Sequence, residues 1–317
     1  MMIRTATEGR RNKMSLGWKW FTEYQTPYSA HMHGIREILY SEKTDFQHID
    51  VFDTYEYGRM LVLDGKVQST VKDEYFYHES LVHPVMLAHP EPRRVLIIGG
   101  GEGGTLREVL RHGVKKAVMV DIDRKVVESS KKYIPELSAG AFDDGRAEVI
   151  IGDGREYVRR GGERFDVIIM DVTDPLEEGP GQLLYTEEFY AAARNMLHKG
   201  GTIVTQATST YYSVDCFAKI FRTVRKVFGE GRAGGYHTFV PAYDSMWGFI
   251  YGTDGADPKD MSRDQLEAAV KDRGITGLRY YGPDMHACLF TLPKEVTDSL
   301  EGDGSVATDA RPTFMPI

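Results

Sequence analysis

Six residues at positions 99–104, five of them glycine, separate the apolar run Val95-Leu96-Ile97-Ile98 from a helical pattern that opens at Thr105-Leu106-Arg107-Glu108. Glycines let the backbone turn tightly from strand to helix and come close to a ligand, so Gly101 and Gly103 are candidate contacts. The next apolar run, Val118-Met119-Val120, ends at Asp121, about twenty residues downstream, where a carboxylate can accept both hydroxyls of a ribose. A further acid, Asp153, follows Val149-Ile150-Ile151-Gly152, at a strand end where an adenine amino group can be read. Taken together these features predict an adenosine-type nucleotide site.

The surrounding sequence repeats this period. Runs with strand character at Arg94–Ile98, Ala117–Val120, Ala147–Ile151, Val167–Met170 and Thr202–Gln206 alternate with helical patterns at Thr105–Arg111, Arg124–Tyr133, Gly154–Arg160, Glu187–Leu197 and Val214–Phe228. Such alternation predicts an α/β fold with a doubly wound parallel sheet and ligands at the carboxyl ends of its strands. Tyr236–Val240 and Met246–Gly252 predict a closing antiparallel pair. Upstream, short β-type segments from Arg36 to Thr70, with the turn Asp64-Gly65, predict a small antiparallel unit. Helical spacing of Tyr77, Leu81, Val85 and Leu87 then runs to His89-Pro90. The expected division is a mobile tail at 1–14, a β domain at 15–75 and a nucleotide-binding catalytic domain at 76–317.

Composition narrows the partners. The 47 acids outnumber 39 bases, so no basic excess invites nucleic acid, and the mild acidity also serves ordinary solubility. Cys216 and Cys288 lie in no disulfide or metal-ligand spacing, and His31-Met32-His33 reads as strand surface, so no metal is expected. No apolar run approaches the ~20 residues of a membrane helix and the N-terminus lacks a signal core, which points to a cytoplasmic protein without a membrane partner.

Glu102 refines the ligand. A carboxylate inside the glycine turn repels a pyrophosphate and attracts a cation, which favours a sulfonium nucleoside over a dinucleotide. S-Adenosylmethionine carries its own carboxylate, whereas its decarboxylated form ends in a bare ammonium, so Glu102 favours the latter. Past Val167–Met170 come Asp171-Val172-Thr173-Asp174-Pro175. Alone this reads equally well as an Asp-Pro turn; beside a sulfonium site its two acids suit an amine, which arrives protonated with a pKa of roughly 10 and needs a base.

These motifs, with Leu63-Asp64-Gly65-Lys66-Val67-Gln68-Ser69-Thr70, Tyr77-His78-Glu79, Val120-Asp121-Ile122-Asp123 and Leu184-Tyr185-Thr186-Glu187-Glu188-Phe189-Tyr190, resemble the polyamine aminopropyltransferases, the spermidine synthase family, from Gly17 to Pro316. The resemblance implies an N-terminal β domain on a Rossmann-like, methyltransferase-type domain, assembled as a homodimer or homotetramer. It also implies transfer of an aminopropyl group from decarboxylated S-adenosylmethionine, as co-substrate, to an amine, with release of methylthioadenosine and no prosthetic group. By motif position, Asp171 is the general base. Asp174 binds the ammonium or the donor's aminopropyl end; Gln68, Tyr77, Gln206 and Tyr243 line the amine channel; Gln47, His78, Glu102, Asp121, Asp153 and Gly154 serve the donor.

Three departures concern the acceptor. Glu102 stands where most members have Asp, and this resembles the triamine or agmatine aminopropyltransferase and thermospermine synthase variants. The loop after Pro175 is long and carries Glu177 and Glu178, and Asp244 replaces a usual proline as a candidate cation contact. Putrescine, agmatine and a triamine remain rival acceptors. A small-molecule methyltransferase and a non-catalytic nucleotide-binding regulator remain the alternatives.

Overall fold

The computed structural model describes residues 19–177, 179, 181–302 and 304–315. The expected tail and Glu178 therefore lie outside the described residues. The first five strands, β1 (Lys19–Thr26), β2 (Ser29–Lys43), β3 (His48–Thr54), β4 (Gly58–Leu63) and β5 (Lys66–Thr70), form an antiparallel meander in chain order. Asp64 and Gly65 turn β4 into β5 with φ of 48° and 75°, the left-handed pair that a two-residue hairpin requires. The antiparallel unit begins at Lys19, not at Arg36 as the sequence reading has it. That reading passed over β1 because its inward-facing residues include Glu23 and Gln25, which are buried yet polar, so the usual apolar alternation is missing. His31 and His33 also turn inward, while Met32 between them is exposed.

Helix α1 (Glu74–Ala88) joins the two sheets and is buried at 13 of its 15 positions, as befits an element packed on several sides. The chain continues through β6 (Arg94–Gly99), α2 (Gly104–Leu110), β7 (Lys116–Asp121), α3 (Arg124–Tyr133), α4 (Pro135–Ser138), β8 (Ala147–Ile151), α5 (Gly154–Arg160) and β9 (Phe165–Asp171). It then forms α6 (Glu187–Asn195), β10 (Leu197–Ser209), α7 (Val214–Phe228), β11 (Ala233–Val240) and β12 (Ser245–Thr253), and finishes with α8 (Arg263–Asp272), α9 (Pro283–Leu289) and α10 (Lys294–Glu301). The sheet order is β11-β12-β10-β9-β6-β7-β8. Its five strands from β10 to β8 are parallel, and β12 and β11 close one side antiparallel. This is the doubly wound, Rossmann-like sheet that the alternation predicts.

Alternate residues of each central strand feed opposite cores. Val95, Ile97, Val167 and Ile169 join the cluster under α1, while Leu96, Ile98, Ile168 and Met170 join the one under α6 and α7. Burial on both faces explains why these strands read as continuous apolar runs. Chain order reverses between β6, which continues to β7, and β9, which lies on its other side. A crevice at the carboxyl ends of the strands follows from that reversal. There, Gly99 stands opposite Asp171. The C-terminal segment is tied to α1 by Glu79, whose buried carboxylate accepts the backbone N–H groups of Arg279, Tyr280 and Tyr281 at 2.9, 2.9 and 2.7 Å.

Candidate active site

A cavity of about 250 Å³ occupies the crevice. Of the residues singled out in the sequence, Gln47, Gln68, Tyr77, Gly101, Glu102, Asp121, Asp153, Gly154, Asp171, Asp174, Gln206 and Tyr243 line it. His78, Gly103 and Asp244 do not. The first two support the wall from behind; Asp244 is exposed in a left-handed turn at φ 47° before β12, and its neighbour Tyr243 takes the cavity side. A contact from Asp244 to a ligand in this cavity is therefore corrected. Glu177 is likewise exposed and outside the wall.

The glycine turn is shaped by its neighbours. A Cβ on Gly101 would lie 2.6 Å from Asp121 Oδ2, and one on Gly103, at φ +84°, would lie 2.7 Å from Phe142 and Ser138. Asp121 accepts the Asp123 N–H at 2.8 Å, and burial pushes its carboxyl up to about 7. A ribose diol donating to it would favour the ionised form. Asp153 caps α5 by accepting from Arg155 and Glu156 while still facing the cavity. Gln47 reaches from the N-terminal sheet to Asp123 at 3.2 Å.

Behind Glu102 lies a run of buried ionic groups that sequence spacing did not reveal. His78 is held between Glu102 Oε1 at 2.8 Å and Glu74 Oε2 at 2.7 Å, and Arg107 also donates to Glu74 at 2.7 Å. Burial opposes charge on this imidazole, but the two carboxylates prevail and push its pKa up to about 10. Burial likewise opposes the Glu74 carboxylate, yet His78 and Arg107 hold it below its ordinary range. Glu102 is thus half of an ion pair rather than the lone acid that the sequence suggested. With Asp171 ionised, the group of three carboxylates, one imidazolium and one guanidinium keeps a net negative charge.

Asp171 ends β9, its Oδ1 accepting from the Tyr77 hydroxyl at 2.7 Å and its Oδ2 from Thr105 Oγ1 at 2.6 Å. Its backbone carbonyl accepts the Gly100 N–H at 2.8 Å. Burial, followed by the charge of Glu102, pushes its carboxyl up to about 6. Burial also brings Asp174 to about 6, opposed by Gln206 and by the charge of Lys66. Gln206 donates to Val172 at 2.8 Å and to Asp174 at 3.3 Å, and accepts from Trp247 Nε1 at 3.2 Å. It therefore orients Asp174. Tyr243 donates to the carbonyl of Gln68.

Glu23, Lys66 and Trp247 also line the cavity, and the sequence reading named none of them as site residues. Glu23 comes from β1 and accepts the Val67 N–H of β5 at 3.2 Å; its burial is visible only in the fold.

Residues 74–260 match the spermine/spermidine synthase domain, and residues 19–70 match the spermidine synthase tetramerisation domain. The chain belongs to the spermine/spermidine synthase family. It is an enzyme of the polyamine aminopropyltransferase type. Similar proteins include the polyamine aminopropyltransferases of Sulfolobus acidocaldarius, 43% identical over 94% of this chain and 99% of that one, and of Sulfurisphaera tokodaii, 41% identical over the same shares. A spermidine synthase crystallised with the transition-state analogue AdoDATO superposes with a TM-score of 0.82, at 37% identity over 93% of this chain and 97% of that one. The Thermotoga maritima spermidine synthase gives 0.80, at 36% identity over 93% and 96%. Among the described residues no helix is long and apolar enough to cross a membrane.

Proposed function

We propose that this enzyme transfers the aminopropyl group of decarboxylated S-adenosylmethionine to a primary amine and releases methylthioadenosine, with Asp171 as the general base. The observation that carries this reading is the placement of Asp171 at the strand reversal, in one cavity with Glu102 and Asp121 on one side and Asp174 on the other. Asp121 and Asp153 serve the adenosine, Gly101 and Gly154 allow its close approach, and Glu102 faces the cationic end. Asp174, oriented by Gln206, holds the acceptor ammonium, and Glu23 offers a further carboxylate for a longer amine.

In the reaction Asp171 takes a proton from the ammonium. The freed nitrogen lone pair attacks the methylene carbon attached to sulfur, the carbon–sulfur bond breaks, and its electron pair stays on sulfur as a neutral thioether. The sulfonium is already a good leaving group, so the protein's tasks are orientation and deprotonation. Tyr77 and Thr105 hold the base towards the reacting nitrogen.

The test is to measure methylthioadenosine release with decarboxylated donor and putrescine, agmatine or a triamine. The reading is lost if every amine fails while S-adenosylmethionine supports methyl transfer, or if the donor binds without turnover. A domain division near residue 75 and a homotetramer complete the proposal. Tyr24, Tyr28, Met32 and Ile38 of the N-terminal region are exposed, as an assembly face requires, and sedimentation at micromolar concentration tests it.

A further inference from the structure

Three side chains, of which only Glu23 has a part in the reading above, meet in the N-terminal sheet. Glu23 of β1 stands directly opposite His31 of β2, and His33 follows two residues later on the same strand face. One carboxylate oxygen of Glu23 and one ring nitrogen from each histidine all lie within 4.8 Å of one another. His31 Nε2 is 3.1 Å from Glu23 Oε2. His33 is 7% exposed, and its Nε2 is buried without a hydrogen-bond partner among the described residues. A buried ring nitrogen left without a partner is destabilising, and a ligand on it would relieve that cost.

We propose that Glu23, His31 and His33 form a divalent transition-metal site beside the acceptor end of the cavity. Two imidazoles and one carboxylate suit Zn²⁺ and its neighbours, and leave a coordination position open. Phe21 stacks on His33 at 6.3 Å, and Tyr57 meets its edge at 5.4 Å, giving the site an apolar flank. Neither the glycine turn nor Asp171 takes part. The inward position of both histidines corrects the reading of a strand surface, and a metal bound here would overturn the expectation of none.

Glu23 also lines the cavity, so metal binding here would turn a net negative cluster into a net positive one facing the incoming amine. This consequence, unlike the site itself, rests on the proposed function. The expected effect of saturating Zn²⁺ is an amine KM raised about tenfold or more, with little change in kcat or in donor affinity.

The deciding experiment titrates the metal-stripped, full-length protein with Co²⁺ and with Zn²⁺ against a chromophoric chelator. The parent is expected to bind one equivalent and to show the intense visible bands of tetrahedral Co²⁺. The His33→Ala and His31→Gln variants, each checked for an unchanged far-UV spectrum, should lose both. Retention of the bands and stoichiometry in both folded variants would place the metal elsewhere and overturn the proposal; so would absence of tight binding by the parent. His31→Gln, at the less buried position, keeps the test open if His33→Ala fails to fold. Metal binding without an effect on amine KM would leave the site standing and count against the acceptor reading alone.

Discussion

Replacing Asp171 with Asn tests the proposed base while sparing most of its surroundings. The parent carboxylate accepts from Tyr77 and Thr105 at 2.7 and 2.6 Å. Asparagine keeps an acceptor for one of them, and the Thr105 hydroxyl can rotate to accept from the new amide, so the geometric cost is a fraction of one hydrogen bond. The chemical cost is larger. An amine of pKa ~10.4 facing a base at about 6 must give up its proton uphill by roughly 4 units, or about 6 kcal/mol; an ordinary aspartate at ~3.9 would face about 9. Burial and Glu102 thus lower this step by roughly 3 kcal/mol, and asparagine forfeits the base altogether. The expected result is a kcat lower by about 10²–10⁴-fold, with the donor Kd within about threefold of the parent. Calorimetry gives the Kd, and methylthioadenosine release at saturating donor and amine gives the kcat. The base must be ionised, so the parental kcat at saturating amine should also rise with pH through about 6; the variant kcat should lack that limb, while Asp174, also at about 6, keeps one in amine KM for both proteins. A kcat within tenfold of the parent, with the donor still bound, would refute the reasoning.

A cationic donor favours ionised Asp171 and so lowers its pKa from about 6. Donor binding near pH 6 should therefore release protons and tighten as pH rises through that window, measured by calorimetry in buffers of different ionisation enthalpy. Lys66→Ala removes a cation that acts on Asp174; amine KM is expected to fall about three- to tenfold, most for the longest amine. Glu79→Ala strips the acceptor from three backbone N–H groups, a loss of about 3 kcal/mol or more that should lower Tm by roughly 6 °C or more in a thermal scan.

The Rossmann-like sheet was legible because its strands are buried on both faces and the glycine turn marks the first crossover. The closing antiparallel pair was legible for a related reason, since Tyr236–Val240 and Met246–Gly252 fall inside β11 and β12. β1 was hidden by polar residues on its inner side, and with it went Glu23. The ion pairs behind Glu102 escaped because Glu102 and His78 are 24 residues apart and Arg107 and Glu74 are 33 apart; only the fold brings such positions together. Lys66 was quoted in a motif, but nothing local says that an ammonium there acts on Asp174, more than one hundred positions away. The helices beyond Thr253 went unread because α8, α9 and α10 are short and no strand follows β12 to frame them in an alternation.

Tyr77, His78 and Glu79 are consecutive in α1, and each holds something different: Asp171, Glu102 and the backbone at 279–281. Successive residues of a helix point about 100° apart, so one rod works three separate parts of the molecule in the manner of a camshaft. A small roll of that rod would disturb all three at once, and a one-residue insertion before Tyr77 would throw every cam out of phase. The junction between the two sheets therefore also sets the orientation of all three partners at once.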